Sequence, residues 1–191
     1  MNTAARDLCR IWTDMTARWY GRSYPPNRNE LPDCLVDLYD SPAFGSWEDG
    51  TYDTQLLAFA IENTWSSAEY PEPRLANDAD LCVAMFHDAR EHLSIPDEPV
   101  TLYRGARDDH AVRRMSWTGT VDMARWFADR YSDLNGATGG QVYILRDVDP
   151  EHVLAQIAEG RDEDEYVLDP FYLDDAPIEL FEDRRKRQAD R

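Results

Sequence analysis

The stretch Pro96–Gly105, PDEPVTLYRG, marks the point at which the hydrophobic periodicity of the chain changes. Before Pro96, apolar residues recur every three or four positions, as in amphipathic helices. After Pro99, short runs rich in β-branched and aromatic residues begin with 100–104, which indicates strands. The sequence therefore predicts an α+β chain, with a helical N-terminal region followed by a mixed β-sheet core.

The 191 residues suit one compact domain. We expect a helical region over 1–98, a β core over 99–182 and a solvated charged tail over 183–191. In the β core the patterns predict short strands and one helix, and the strands fall at 100–104, 115–118, 141–148, 153–158, 165–170 and 177–181, with the helix at 122–131.

The helical region contains three amphipathic patterns. The first ends at Gly21. Asp53 is a suitable N-cap for the second, and Asp78 or Asp80 for the third, because a carboxylate accepts bonds from the first amides of a helix. The proline-containing segment 25–32, PPNRNELP, is predicted to be a loop.

The charge of the chain restricts its partners. It has 38 acidic and 20 basic residues, a formal net charge of −18. That balance argues against general nucleic-acid binding and against an anionic membrane surface. No apolar run approaches the ~20 residues of a membrane span. We expect a cationic target, such as a protein surface that carries arginines.

Cysteine and histidine usage indicates neither disulfides nor a metal site. Cys9, Cys34 and Cys82 are odd in number and lack close spacing, so they are predicted to be buried thiols in a reducing compartment. The four histidines form no ligand cluster, and no metal is expected. With no signal-peptide pattern at the N-terminus, we expect action in a cytoplasm, of the cell that makes the protein or of an infected or target cell.

Three short motifs carry residues suited to chemistry. Tyr103-Arg104-Gly105 ends a predicted strand, where a planar guanidinium can clamp a phosphate, although an arginine there is more often a structural ion pair. Ser116-Trp117-Thr118 forms a second strand ahead of the helix with Trp126 and Phe127.

The third motif, Glu163-Asp164-Glu165, opens a strand within an acidic segment. Residues 159–183 hold eleven acids and a single arginine. Most acidic runs are solvated faces, but on a strand Glu163 and Glu165 would point to the same face. Two such carboxylates repel each other unless a cation lies nearby, which favours a functional interpretation.

The order of these motifs resembles that of the ADP-ribosyltransferases of the Arg–Ser–Glu type, with the two glutamates of the arginine-modifying members. The resemblance covers about 99–181. It departs from the family at the middle motif, where Ser116-Trp117-Thr118 stands in place of the common Ser-Thr-Ser. It implies an ADP-ribosyltransferase β core, NAD as co-substrate and a protein acceptor with an exposed arginine.

The resemblance also implies a role for each motif residue. Arg104 would bind the phosphate and nicotinamide-ribose side of NAD, and Gly105 would offer backbone groups to the carboxamide. Ser116 would fix the catalytic Glu165 by a hydrogen bond, and Glu163 would activate the acceptor.

Further contacts to NAD are implied beside these motifs, from Tyr103, Thr118, Trp126 and Phe127. The loop 132–140 takes the place of the family's phosphate–nicotinamide loop, and 158–162 that of its substrate-recognition loop.

The chemistry fits these residue types. Cleaving the bond from ribose to nicotinamide creates oxocarbenium character, which a fixed carboxylate stabilises as it develops. A second carboxylate can take the proton of an attacking guanidinium.

Other functions remain open from the sequence. An acidic chain could be a DNA mimic or another non-catalytic binding protein, and a transferase fold could retain NAD affinity without turnover. An NAD glycohydrolase would carry the same motifs. A delivered toxin, a phage-encoded modifier and an endogenous regulator would look alike.

Overall fold

A computed structural model describes residues 3–69, 71–75, 77–130, 139–157 and 164–185. The chain divides into two compact units, Met1–Leu93 and Ser94–Arg191. The first contains only helices among its described elements, and the second contains the sheet. The predicted α+β class is therefore confirmed.

Helices make up the first unit. They are α1 (Thr3–Trp19), α2 (Leu31–Tyr39), α3 (Thr54–Ser67), α4 (Glu72–Leu75) and α5 (Ala79–Ala89), with short 3₁₀ turns at Pro42–Phe44 and Arg90–His92.

The helix starts predicted from acidic caps are confirmed. The Asp53 carboxylate accepts a bond from the Leu56 amide at 2.8 Å, and Asp78 likewise from the Leu81 amide at 3.0 Å. Each carboxylate satisfies an amide that has no partner within the helix, and it faces the positive end of the helix dipole.

The loop predicted at 25–32 is wrong at its end, because α2 begins at Leu31. Pro32 occupies the first turn of this helix, where a missing amide hydrogen costs nothing. The buried Cys34, Leu35 and Leu38 then give α2 its apolar face.

Within the described residues, the elements of the second unit are β1 (Val100–Ala106), β2 (Ser116–Thr118), α6 (Val121–Arg130), β3 (Gln141–Val148), β4 (Val153–Ile157), β5 (Glu165–Leu168), α7 (Pro170–Asp175) and β6 (Glu179–Asp183). These six strands form one antiparallel sheet in the order β4-β5-β2-β1-β3-β6. The predicted mixed sheet is wrong for these strands, since every neighbouring pair is antiparallel.

The two faces of the sheet have different packing. On one face Leu102, Trp117, Tyr143 and Tyr166 belong to a buried core cluster. On the other, Ala124 and Ala128 of α6 pack against Val142 and the partly buried Tyr103. The site residues on β1, β2 and β5 are distributed between these faces by strand alternation.

Ion pairs join α6 to β6. Arg125 donates to Glu182 at 2.9 Å, and Arg184 makes a two-bond contact with Asp129 at 2.7 Å. Asp183 and Arg184, which were expected to belong to a solvated charged tail, instead end β6 and pair with α6.

The three cysteines are free thiols. Cys34 and Cys82 are buried, while Cys9 is only partly buried, contrary to the expectation for all three. Burial raises the pKa of Cys34 to about 12. Within the described ranges no helix has both the length and the apolar composition to cross a membrane.

Candidate functional site

A serine–glutamate hydrogen bond joins β2 to β5 in the second unit. Strands β2 and β5 pair so that Thr118 stands opposite Glu165 and Ser116 opposite Val167. Cross-strand partners share a face, so Ser116 and Glu165 are diagonal neighbours on one face. The Ser116 hydroxyl donates to Glu165 Oε1, which joins residues 49 positions apart in the chain.

The fixed carboxylate has a defined chemical capacity. Glu165 is the first residue of β5 and is neither fully buried nor fully exposed. The serine bond restrains the direction of its side chain, and a carboxylate held in one direction can face a cationic group without reorganising.

Arg104 of β1 contacts the main chain of β2 beside this pair. Its guanidinium donates to the carbonyl oxygen of Ser116, and Nε donates to the carbonyl oxygen of Ala111 at 3.4 Å. Ser116 therefore contacts both other motif residues, with its carbonyl toward Arg104 and its hydroxyl toward Glu165.

Strand register separates Arg104 from the other two side chains. Arg104 stands opposite Tyr143, which belongs to the core cluster with Trp117 and Tyr166. Those aromatics lie on the face opposite to Glu165, because Tyr166 is its neighbour in β5. The structure thus brings the Ser116 and Glu165 side chains together, whereas the Arg104 guanidinium bonds to the main-chain carbonyl oxygen of Ser116.

Gly105 has a packing reason to lack a side chain. A Cβ there would lie 2.1 Å from the Ala124 carbonyl oxygen and 2.5 Å from the Ala128 amide nitrogen, both on α6. On the side of Gly105 where a Cβ would point, the backbone of α6 occupies the space that a ligand would need.

Tyr103 and Thr118 are opposite one another across β1 and β2. Tyr103 packs under α6 and meets the Phe181 ring edge-to-face, with the ring centroids 5.4 Å apart. Thr118 is buried, and its hydroxyl accepts from the Thr120 amide at 3.3 Å in the turn before α6. Both residues lie on the face of the sheet that carries Ser116 and Glu165.

The two aromatic residues of α6 differ in environment. Trp126 is 50% exposed, and the Arg130 guanidinium lies over its ring at 4.6 Å from the centroid. Phe127 meets Trp126 edge-to-face and has its Cβ next to Gly105. Of the two, Trp126 presents the more accessible ring.

Glu163 lies outside the described residues, as do 158–162 and positions 132–138 of the Gly-rich loop. The strand on which the sequence analysis placed both glutamates begins, within the described residues, at Glu165. Asp164 has a φ of 41°, in the left-handed region, so the two-residue alternation of a strand does not run through it.

Two residues near the site were missed by the sequence analysis. Gln156 of β4 donates from Nε2 to Asp164 Oδ1 at 3.0 Å and to the Tyr166 hydroxyl at 2.9 Å. Burial, followed by the Asp164 charge, raises the pKa of Tyr166. The acidic run drew attention to the segment that contains Asp164 without giving this residue a role, and no sequence pattern points to Gln156.

On the core face, another tyrosine is held by polar groups. The Tyr143 hydroxyl lies 2.5 Å from Asp109 Oδ1 and 2.6 Å from Gln141 Oε1. Burial, and then the Asp109 bond, raises the pKa of Tyr143 far above its ordinary value. Its hydroxyl is therefore a neutral structural donor next to Arg104 in the sheet.

Among the residues that the structure describes, no three His, Cys, Asp or Glu side chains group to hold a metal ion. The candidate site therefore consists of a restrained carboxylate, a hydroxyl donor and a guanidinium.

No protein-family model matches the chain, and no curated protein or solved structure is significantly similar to it.

Proposed function

We propose that this chain is an NAD-dependent mono-ADP-ribosyltransferase, which transfers ADP-ribose to an arginine of a protein acceptor and releases nicotinamide. The observation that carries the proposal is the bond from the Ser116 hydroxyl to the Glu165 carboxylate. The motif resemblance implies this pair, and the register of β2 and β5 puts the two side chains on one face.

The proposed reaction uses the charge of Glu165. The bond between C1′ of the ribose and N1 of nicotinamide breaks, and its electron pair leaves with the nicotinamide. Positive charge develops on the ribose, and a carboxylate restrained by Ser116 stabilises that charge without having to reorganise. The acceptor guanidinium nitrogen then bonds to C1′ and loses a proton, which Glu163 takes in this proposal.

Arg104 fits the role of a phosphate ligand chemically. Two of its hydrogen bonds go to neutral main-chain carbonyl oxygens, of Ser116 and Ala111. A phosphate oxygen is a stronger acceptor for a guanidinium than a carbonyl is, because the bond joins opposite charges. In a chain of net charge −18, a dinucleotide also needs such a local cation.

The alternatives differ in what happens to the ribosyl group. An NAD glycohydrolase would use the same Glu165 and pass ADP-ribose to water. An acidic binding protein or DNA mimic would neither cleave NAD nor transfer ADP-ribose, and the serine–glutamate bond would then have no catalytic role.

The test is incubation of the purified chain with NAD labelled in its adenylate part, an arginine-rich protein and, separately, a cell lysate. We expect label on protein, lost in Glu165→Gln and retained in Glu98→Gln, the same change at an exposed position of the second unit. Nicotinamide release without protein labelling would identify a glycohydrolase. The absence of both activities from the unsubstituted chain would refute the proposal.

A second variant separates the two glutamates. Glu163→Gln should keep NAD cleavage, because water can replace the acceptor, and should reduce transfer to arginine. Equal loss of both activities in Glu163→Gln and Glu165→Gln would contradict this division.

A further inference from the structure

Asp164, immediately before the proposed catalytic carboxylate, has an uncommon backbone conformation. The structure describes only two non-glycine residues with positive φ, Asp147 and Asp164. Aspartate tolerates the left-handed region better than most residues, because its short side chain can bond locally. Asp164 therefore forms the bend from which the chain enters β5 at Glu165.

Neighbouring strands hold this bend on both sides. The Asp164 carbonyl oxygen accepts from the Gly119 amide at 3.2 Å, next to the end of β2. Its side chain accepts from Gln156 Nε2 at 3.0 Å, from β4. A Cβ at Gly119 would lie 2.5 Å from Asp164 Oδ2, so the Asp164 carboxylate packs closely against the end of β2.

The Asp164 side chain lies away from Glu165, and the two residues are joined through the backbone. Gln156 Nε2 also donates to the Tyr166 hydroxyl, so the Asp164 carboxylate lies with Tyr166 on the side away from Glu165. A group on that side does not meet the ribose that Glu165 would stabilise.

We infer that Asp164, held by Gln156, is a positioning residue that fixes the direction in which Glu165 meets Ser116 and the substrate. The inference rests on the proposed function, because Glu165 is the group that it positions. A misplacement of about 1 Å in a reacting group costs up to ~10²-fold in rate, so a bend of this kind has a measurable kinetic effect.

Three variants test the inference with NAD as the probe and nicotinamide release as the readout. Asp164→Ala removes the acceptor for Gln156 and disfavours the left-handed backbone. Asp164→Asn keeps an acceptor oxygen and tolerates that backbone. Gln156→Ala leaves Asp164 in place and removes its donor, and it serves as the test if Asp164→Ala does not fold.

We expect kcat to fall about 10-fold in Asp164→Ala and in Gln156→Ala, with the KM for NAD unchanged and Asp164→Asn close to the unsubstituted chain. We also expect Asp164→Ala to have no further effect in a Glu165→Gln background, since a positioning residue has nothing left to position. A purely structural role would lower activity equally in both backgrounds.

The outcomes separate the two proposals. Full kcat in Asp164→Ala, no rescue by Asp164→Asn, or additive losses with Glu165→Gln would overturn the positioning role and leave the proposed function standing. No nicotinamide release by the unsubstituted chain would overturn the proposed function, and the positioning role with it.

Discussion

Ser116 contacts the other two residues of the proposed site through different atoms. Its carbonyl oxygen accepts from Arg104, and its hydroxyl donates to Glu165. A substitution that removes only the hydroxyl leaves the main-chain contact and the strand pairing in place. The role of the hydroxyl can therefore be measured separately.

We expect Ser116→Ala to lower kcat for NAD cleavage by about 10- to 100-fold, because the carboxylate loses its restraint and samples unproductive directions. The KM for NAD should change much less. Steady-state nicotinamide release measures both, with the exposed Ser94→Ala as control. A KM effect with unchanged kcat would assign the hydroxyl to NAD binding instead.

Gly105 tests whether packing explains a motif residue. A Cβ at Gly105 would meet backbone atoms of α6 at 2.1 and 2.5 Å, and backbone cannot move aside as a side-chain end can. We expect Gly105→Ala to destabilise the chain by about 3 kcal/mol, through forced displacement of α6.

The control for that substitution is Gly21→Ala. Gly21 has a φ of 61° with no atom within 4 Å of an added Cβ, so only the backbone conformation is strained, at about 1 kcal/mol. Denaturant unfolding compares the two. Equal effects would mean that α6 does not press on Gly105.

At the scale of elements, local signals were sufficient for the caps and most strands. Asp53 and Asp78 cap the helices that they were expected to cap, and β1 and β3 lie where their apolar runs predict. These features depend on residues that are close in sequence, so they can be predicted from local patterns.

Other elements could not be read in this way. The sequence analysis placed Pro32 in a loop and Pro170 at the end of a strand, yet each lies in the first turn of a helix, where proline is tolerated. The strand order pairs β2 with β5 across a long stretch of chain, and no local pattern encodes such a pairing. The bend at Asp164 was hidden in a run of acids that resembled the start of a strand.

The contact between α6 and β6 predicts a pH effect. Hydrogen bonds from Arg184 hold the pKa of Asp129 below its ordinary value. The pKa of Glu182 is also lowered, mainly by its hydrogen bond from Arg125 and to a smaller extent by the one from Arg184. A carboxylate with a lowered folded pKa stabilises the fold above its unfolded pKa. That stability is lost as the pH falls through the folded pKa.

We therefore expect Arg184→Gln to destabilise the chain at pH 7 by about 1 kcal/mol or less, since the groups are partly exposed. The difference from the unsubstituted chain should shrink as the pH falls below about 4, where these carboxylates begin to be protonated in the unfolded chain and then, at lower pH, in the folded one. Denaturant midpoints at pH 7 and pH 3 measure it. Arg185→Gln, whose ion pair is with Asp183 two residues away, is the control. A difference of the same size at both pH values would rule out the ion pairs as its source.

At the scale of the whole molecule, the net charge of −18 favours encounter with a cationic acceptor. Such steering is screened by salt, whereas hydrolysis at saturating NAD needs no encounter with a charged acceptor. We expect kcat/KM for transfer to an arginine-rich protein to fall about 10-fold or more between low and high ionic strength.

The internal control for this experiment is nicotinamide release without acceptor, measured in the same buffers. It should change less than transfer does. Transfer and hydrolysis with the same salt dependence would show that charge attraction to the acceptor is not important.

The most direct test of the central claim is single-turnover release of nicotinamide from NAD by the purified chain and by Glu165→Gln. A carboxylate that stabilises charge mainly in the transition state should be worth about 10²–10³-fold in the rate of this step. We expect that loss in Glu165→Gln, little change in NAD affinity, and an unchanged rate in Glu98→Gln. Release at the full rate by Glu165→Gln, or no release by the unsubstituted chain, would contradict the proposed mechanism.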